Sequence, residues 1–373
     1  MKTRSYLHVL ILLITTNAFA NYSYDLIDLG AISGGISQPS SINDSGQIVG
    51  QTYNIFTGYN RAILFDTTGT GNNTDLGTLG GTWSSAYSIN NNGQIAGRAQ
   101  NSSSGLWYAT IFDNTGAGQN IAVGPEDSIA CSINNQGKIV GEWGSRATLF
   151  DETGNGNHIQ LGTLGGIKSS AAAINDNGQI VGWAYNSANI SNATLFDPTG
   201  NGNNIRIGYG MGSAYSINES GQIVGVEGGH ATIFDPTGNG NNIDLDPFGV
   251  SDSWACSNND LGQIVGLMSP NGYGIGVLFD PTGNGNNIDL NALIEDSALY
   301  DTDRIGWVID TAVGINNNGW ITAIAYYYDL NTDTMLMQDR AVLLSPASGG
   351  KVPEPSTIVF LALGALALYR QKK

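Results

Sequence analysis

The chain has 373 residues, 52 of them Gly, with only 12% charged residues and a formal charge of −17. This composition, with 41% hydrophobic residues recurring in ordered blocks, excludes a disordered chain and argues against helices. It suits many short strands joined by tight turns. An acidic surface repels phosphate backbones, so nucleic acid is not an expected partner.

Residues 1–20 read as a secretory signal peptide, which implies Sec-type export machinery as a partner. Lys2 and Arg4 make the positive start, Leu7 to Ile14 the apolar stretch, and Ala18-Phe19-Ala20 a small-x-small cleavage site. The mature chain then begins at Asn21. The apolar stretch is short for a membrane span, which takes about 20 residues.

Residues 21–347 are organised by an internal repeat. A lone strand-like segment, Tyr24–Gly30, comes first. The block Ser-Ile-Asn-x-x-Gly-Gln-Ile-Val-Gly then recurs around Gly46, Gly93, Gly137, Gly178, Gly221, Gly262 and Gly319, at spacings of 47, 44, 41, 43, 41 and 57. An Ala-Thr-Leu-Phe-Asp block follows each copy, starting at Ala62, Ala109, Ala147, Ala193, Ala231, Gly276 and Ala341. A third block, fullest at Asp75–Gly81 and Gln160–Gly166, separates the copies. Asn and Gly between the first two pieces supply the positive φ that tight hairpin turns need. Each repeat thus predicts four short strands, the size of a propeller blade. The chain opens on a fourth strand and stops on a third, Ala341–Leu344. A seven-bladed all-β propeller of four-stranded antiparallel blades follows, closed when the first strand completes the last blade.

These blocks resemble the HAF-repeat extracellular proteins over about residues 24–348, with His230-Ala231 keeping the His-Ala pair of that signature. The resemblance implies an extracellular protein and supplies no catalytic residues.

In a propeller the turns between strands one and two and between three and four share one face, and here they are nearly uniform. The other two connections vary. From the end of each Ile-Val-Gly to the start of strand three the steps are 12, 12, 6, 11, 6, 10 and 18 residues. Varied loops on a rigid scaffold are where binding sites sit. Trp83, Trp107, Tyr108, Tyr209, Trp254, Tyr273 and Trp307 fall in or beside these connections and form the candidate ligand face. Flat aromatic faces stack on sugar rings, which makes exopolysaccharide the candidate ligand. The plainer account of the same rings is packing between blades.

Neither catalytic nor metal-binding residues are assigned, and no cofactor is expected. His158 and His230 have no metal-ligand spacing, and the Gly-x-Gly pairs lack the following helix that a phosphate site needs. The turns at Asp66, Asp197 and Asp235 alternate oxygen ligands as a calcium loop does, but one Asp per turn fits an Asx-type turn better. Glu295, Asp296, Asp301 and Asp303 fit a solvated acidic loop. Cys131 and Cys256 occupy equivalent positions in two non-adjacent repeats and fit two small buried residues. The expectation is therefore a non-catalytic binding or structural module. The alternative is a secreted hydrolase or lyase using carboxylates converging on the propeller channel.

Residues 348–373 form a linker and tail. Pro353-Glu354-Pro355 precedes an apolar run, Thr357 to Leu368, and a basic tip containing Arg370. A basic tip stays cytoplasmic while the apolar helix holds the chain in a membrane. The three-part order resembles the PEP-CTERM sorting signal of Gram-negative bacteria. That resemblance implies transient anchoring in the inner membrane, recognition by an exosortase-type membrane protease, and release to the cell surface.

Overall fold

The computed structural model describes residues 23–151, 156–247, 252–295, 305–329, 331–332 and 334–347. The signal segment with Ala18, Ala20 and Asn21, the tail with Pro353, Glu354, Pro355 and Arg370, both expected terminal helices, and Asp296, Asp301 and Asp303 lie outside the described residues. Among the described residues no helix is long and apolar enough to cross a membrane.

Seven four-stranded antiparallel sheets are built in chain order. Blade 1 comprises Ser37–Ile42, Ile48–Asn54, Tyr59–Phe65 and Thr74–Asp75. Blade 7 takes three strands from the end of the chain, Ile305–Ile315, Ile321–Asp329 and Thr334–Pro346. Its fourth strand is Tyr24–Asp28, paired antiparallel with Thr334–Pro346 from Tyr24↔Pro346 to Asp28↔Val342. The ring closes as the phase of the repeats predicts, with Thr334–Pro346 paired on both sides and Tyr24–Asp28 as the outer strand of the blade.

The core lies between blades. Val49, Ala62 and Leu76 of blade 1 pack on Ile89, Ile95 and Phe112 of blade 2. The same sandwich recurs around the ring. At the seam, Leu29, Ala341 and Leu343 of blade 7 pack on Ile48, Ile63 and Phe65 of blade 1. Burying side chains of this size is worth about 1.5–3 kcal/mol each, so the seam is held by apolar contact as well as strand pairing. Polar bonds repeat too. The backbone N–H of Ala62 donates to Ser84 Oγ of the next blade, and that of Ala341 donates to Ser37 Oγ across the seam.

Every innermost strand carries a β-bulge at the same place, such as Pro39/Ser41, Ala86/Ser88 and Ala130/Ser132. The bulge pushes an inner-strand carbonyl against strand two. A Cβ on Gly50 would overlap the carbonyl oxygen of Gln38, and blades 2 to 6 repeat the clash at Gly97, Gly141, Gly182, Gly225 and Gly266. That close approach is why the Ile-Val-Gly block ends in glycine. Blade 7 carries Ala323 there, and its inner strand has a second bulge at Ile309/Thr311.

Candidate functional site

Three zones stand out, two on the axis of the ring and one in blade 1. At one end the strand one-to-two turns surround the axis. Asn43, Asn90, Asn134, Asn175, Asn218, Asn259 and Asn316 are all buried there. Each Nδ2 donates to the backbone carbonyl of its equivalent in the next blade at 2.8–3.0 Å, and Asn316 returns the chain of bonds to Asn43. A second ring lies beside it. The backbone N–H of Asp44 donates to Asn91 Oδ1, and the pattern continues through Asn135, Asp176, Glu219, Asp260 and Asn317 back to Asp44. These rings border an axial cavity of about 220 Å³.

Four carboxylates therefore meet at this mouth, Asp44, Asp176, Glu219 and Asp260, and all accept hydrogen bonds from neighbouring blades. Partial burial raises the Glu219 carboxyl above the usual range, with Asp176 and Asp260 adding repulsion. Among the described residues no three His, Cys, Asp or Glu side chains form a metal-binding group.

The bulged residues line the waist, a cavity of about 160 Å³ bordered by Ser40, Tyr87, Cys131, Ala172, Tyr215 and Cys256. Both cysteines are free. Burial pushes both thiols up to about 12, which leaves them protonated and inert at neutral pH.

At the opposite end, the loop end, a cavity of about 310 Å³ is lined by Ile36, Gln38, Gln51, Tyr53 and Asn60 of blade 1. Gln51 Nε2 donates to Gln38 Oε1, while Gln51 Oε1 accepts from Ser85 Oγ of blade 2 and from Asn60 Nδ2. Gln38 Nε2 and Asn60 Oδ1 take no part in this amide network. Trp83 stands beside the cavity, edge-to-face with Tyr59 at 5.4 Å between ring centres.

The expected aromatic face is only partly assembled. Trp83 lies on the inner strand of blade 2, and Trp107 and Tyr108 on its third strand. Arg98 lies 4.2 Å from the Trp107 ring centre, and Tyr108 donates to Glu126. Tyr273, in the blade 6 connection, is 75% exposed, and Trp254 is half-buried on an inner strand of the same blade. Tyr209 lies elsewhere: its ring covers Arg206, and its hydroxyl donates to the Gly238 carbonyl in the strand three-to-four turn of blade 5. Trp307 is a correction. It is 8% exposed, because it packs edge-to-face on Tyr327 within the blade 7 core cluster. Sequence reasoning passed over Gln38, Gln51, Asn60 and Arg98, since strand alternation does not tell which residues meet across a blade junction.

The turns read as possible calcium loops are closed on themselves. Asp66 Oδ1 accepts from the Thr68 backbone N–H and hydroxyl, and Oδ2 from the Thr70 hydroxyl and Asn72 N–H. Threonine hydroxyls hold Asp66, Asp113, Asp197 and Asp235 below the usual carboxylate range. The last Asn of each turn caps the loop: Asn73 Oδ1 accepts from Asp66 N–H, and its Nδ2 donates to Leu29 O of the preceding blade. His158 fills that capping place in blade 3, its Nδ1 accepting from Asp151 N–H. His230 bonds Asp244 at 3.1 Å.

The fold and channel define a closed seven-bladed propeller with a polar axis. Residues 351–373 match the PEP-CTERM protein-sorting motif, which makes the chain an exported protein; signals of this kind are exosortase substrates. No curated protein matches the sequence. Among solved structures, the gluconolactonase XC5397 from Xanthomonas campestris is 11% identical over 88% of this chain and 92% of that one, with a TM-score of 0.40. A YCF48 structure with a bound D1 peptide is 10% identical over 87% of this chain and 97% of that one, with a TM-score of 0.35.

Proposed function

We propose that this exported propeller is a non-catalytic binding module for hydroxyl-rich polysaccharide, released by an exosortase-type protease to the surface or matrix of a Gram-negative cell. The observation that carries the reading is the loop-end cavity in blade 1. There Gln38, Gln51 and Asn60 offer amide donors and acceptors beside the Tyr53 ring, with the edge-to-face pair Tyr59 and Trp83 next to Asn60. A sugar ring presents hydroxyls at its edge and C–H groups on its face, so it pairs with both kinds of group at once.

The test is a glycan array probed with the mature chain. The expected result is retention on one or more polysaccharides, weakened roughly tenfold or more by Tyr53→Ala, since a lost aromatic contact at the centre of a site costs over 1 kcal/mol. Retention on none would defeat the reading. A second reading, a hydrolase or lyase working through channel carboxylates, draws on the four acids at the turn-end mouth and on the raised Glu219 carboxyl. New reducing ends or unsaturated sugars released from a retained glycan would favour it.

A further inference from the structure

Among the described residues, one buried arginine at the loop end, Arg98, has a guanidinium Nε without a hydrogen-bond acceptor. Arg98 sits on strand two of blade 2, paired with Ser85 and Ala109. Its guanidinium carbon lies 4.2 Å from the Trp107 ring centre and 5.7 Å from that of Tyr87. Its Nε is buried and makes no hydrogen bond. Three other arginines are used within the fold: Arg61 pairs with Asp75, Arg340 with Asp28, and Arg206 donates to backbone carbonyls. A buried donor without an acceptor costs about 1–3 kcal/mol, which makes Arg98 a costly exception.

The repeat explains how the exception arises. Gln51, Arg98 and Glu142 hold the same place in blades 1, 2 and 3, opposite Ala62, Ala109 and Ala147. Each side chain reaches towards the inner strand of the next blade. Gln51 meets the Ser85 hydroxyl, and Glu142 meets the Ser170 hydroxyl. The matching residue in blade 3, paired with Glu142 as Ser85 is with Arg98, is Ile129. Blade 3 offers an alkyl group where blades 2 and 4 offer a hydroxyl. The nearby acids are engaged elsewhere, Glu142 by Ser170 and Glu126 by Tyr108.

We propose that Arg98, stacked on Trp107 at the loop end of blade 2, binds the carboxylate of a uronic acid unit in the polysaccharide. The inference rests on the polysaccharide reading and narrows its ligand class. A planar guanidinium fork matches a planar carboxylate, and an aromatic ring beneath it fixes the plane of the fork. A single cation suits a singly charged carboxylate. The chain's charge of −17 gives no long-range attraction for a polyanion, so recognition depends on this short-range contact.

Two variants test it. Arg98→Gln installs the side chain that blade 1 already carries at this position, so the fold is kept. Ile129→Ser supplies the missing hydroxyl and engages Nε within the protein. Affinities for oligogalacturonate and for dextran are measured for the wild type and both variants, with thermal midpoints alongside. The expected result is that wild type binds oligogalacturonate and that each variant weakens this by roughly ten- to a hundredfold, with any dextran affinity unchanged and the midpoint equal to or above that of the wild type. Unchanged oligogalacturonate affinity in Arg98→Gln overturns the proposal. So does tighter wild-type binding to a sulfated glycan or a polyglutamate peptide. Wild-type binding to dextran but not to oligogalacturonate overturns it while leaving the polysaccharide reading standing; binding to neither defeats both.

Discussion

The two ends of the channel are built from the same seven repeats and treat polar groups in opposite ways. At the turn end, Asn recurs in all seven blades, and each one closes a bond to the next blade. At the loop end, the described residues differ from blade to blade. Phe56 is 82% exposed in blade 1, Met211 71% between blades 4 and 5, and Arg98 stands unpaired in blade 2. Where the repeat is kept, side chains hold the ring together. Where it is broken, they are left with bonds to give. Ile129 in place of a serine is the clearest case, since one departure frees one guanidinium.

If the turn end is structural, substitutions there should cost most. Asn316→Ala removes the donation to Asn43 O and leaves the Asn318 and Trp320 N–H groups without their acceptor. A loss of about 3 kcal/mol in urea unfolding is expected from these buried groups. A loss below about 0.5 kcal/mol would mean the ring is decoration.

A smaller effect should appear with pH. Asp66, Asp113, Asp197 and Asp235 titrate below the unfolded Asp value of about 3.9. Their contribution is present above that value and is lost as pH falls through the lowered folded values. Glu142 and Glu219 are raised by burial, so their contribution has the opposite sign and fades as pH rises through their folded values. The thermal midpoint should therefore drop below about pH 4, and Asp113→Asn should flatten that limb by lowering the neutral-pH midpoint slightly while leaving the acid value nearly unchanged. An unchanged acid limb would assign the turn carboxylates no role.

The ring itself was legible in the sequence. The repeat gave four strands at a fixed spacing, and the unmatched ends, Tyr24–Gly30 and Ala341–Leu344, required a strand to cross the seam. The bulges were less visible, though glycine at Gly50, Gly97, Gly141, Gly182, Gly225 and Gly266 was their mark. The loop end was hardest. Trp307 looked like a surface ring by its place in a connection, but a longer strand register carries it into the core beside Tyr327. Tyr209 was drawn to a turn of the next blade. Gln51 and Arg98 follow the same Gly in the same motif, and only the facing residue, Ser85 or Ile129, decides which is satisfied. That pairing joins positions more than thirty residues apart, which no local pattern reveals.

The division of labour is tested most directly by measuring stability and polysaccharide affinity together in two variants. Tyr53→Ala at the loop end should lower affinity at least roughly tenfold while shifting unfolding free energy by no more than about 0.5 kcal/mol. Asn134→Ala at the turn end should lower stability by about 3 kcal/mol with affinity unchanged under folding conditions. The reverse pattern, with affinity lost at the turn end and retained at the loop end, would contradict the account.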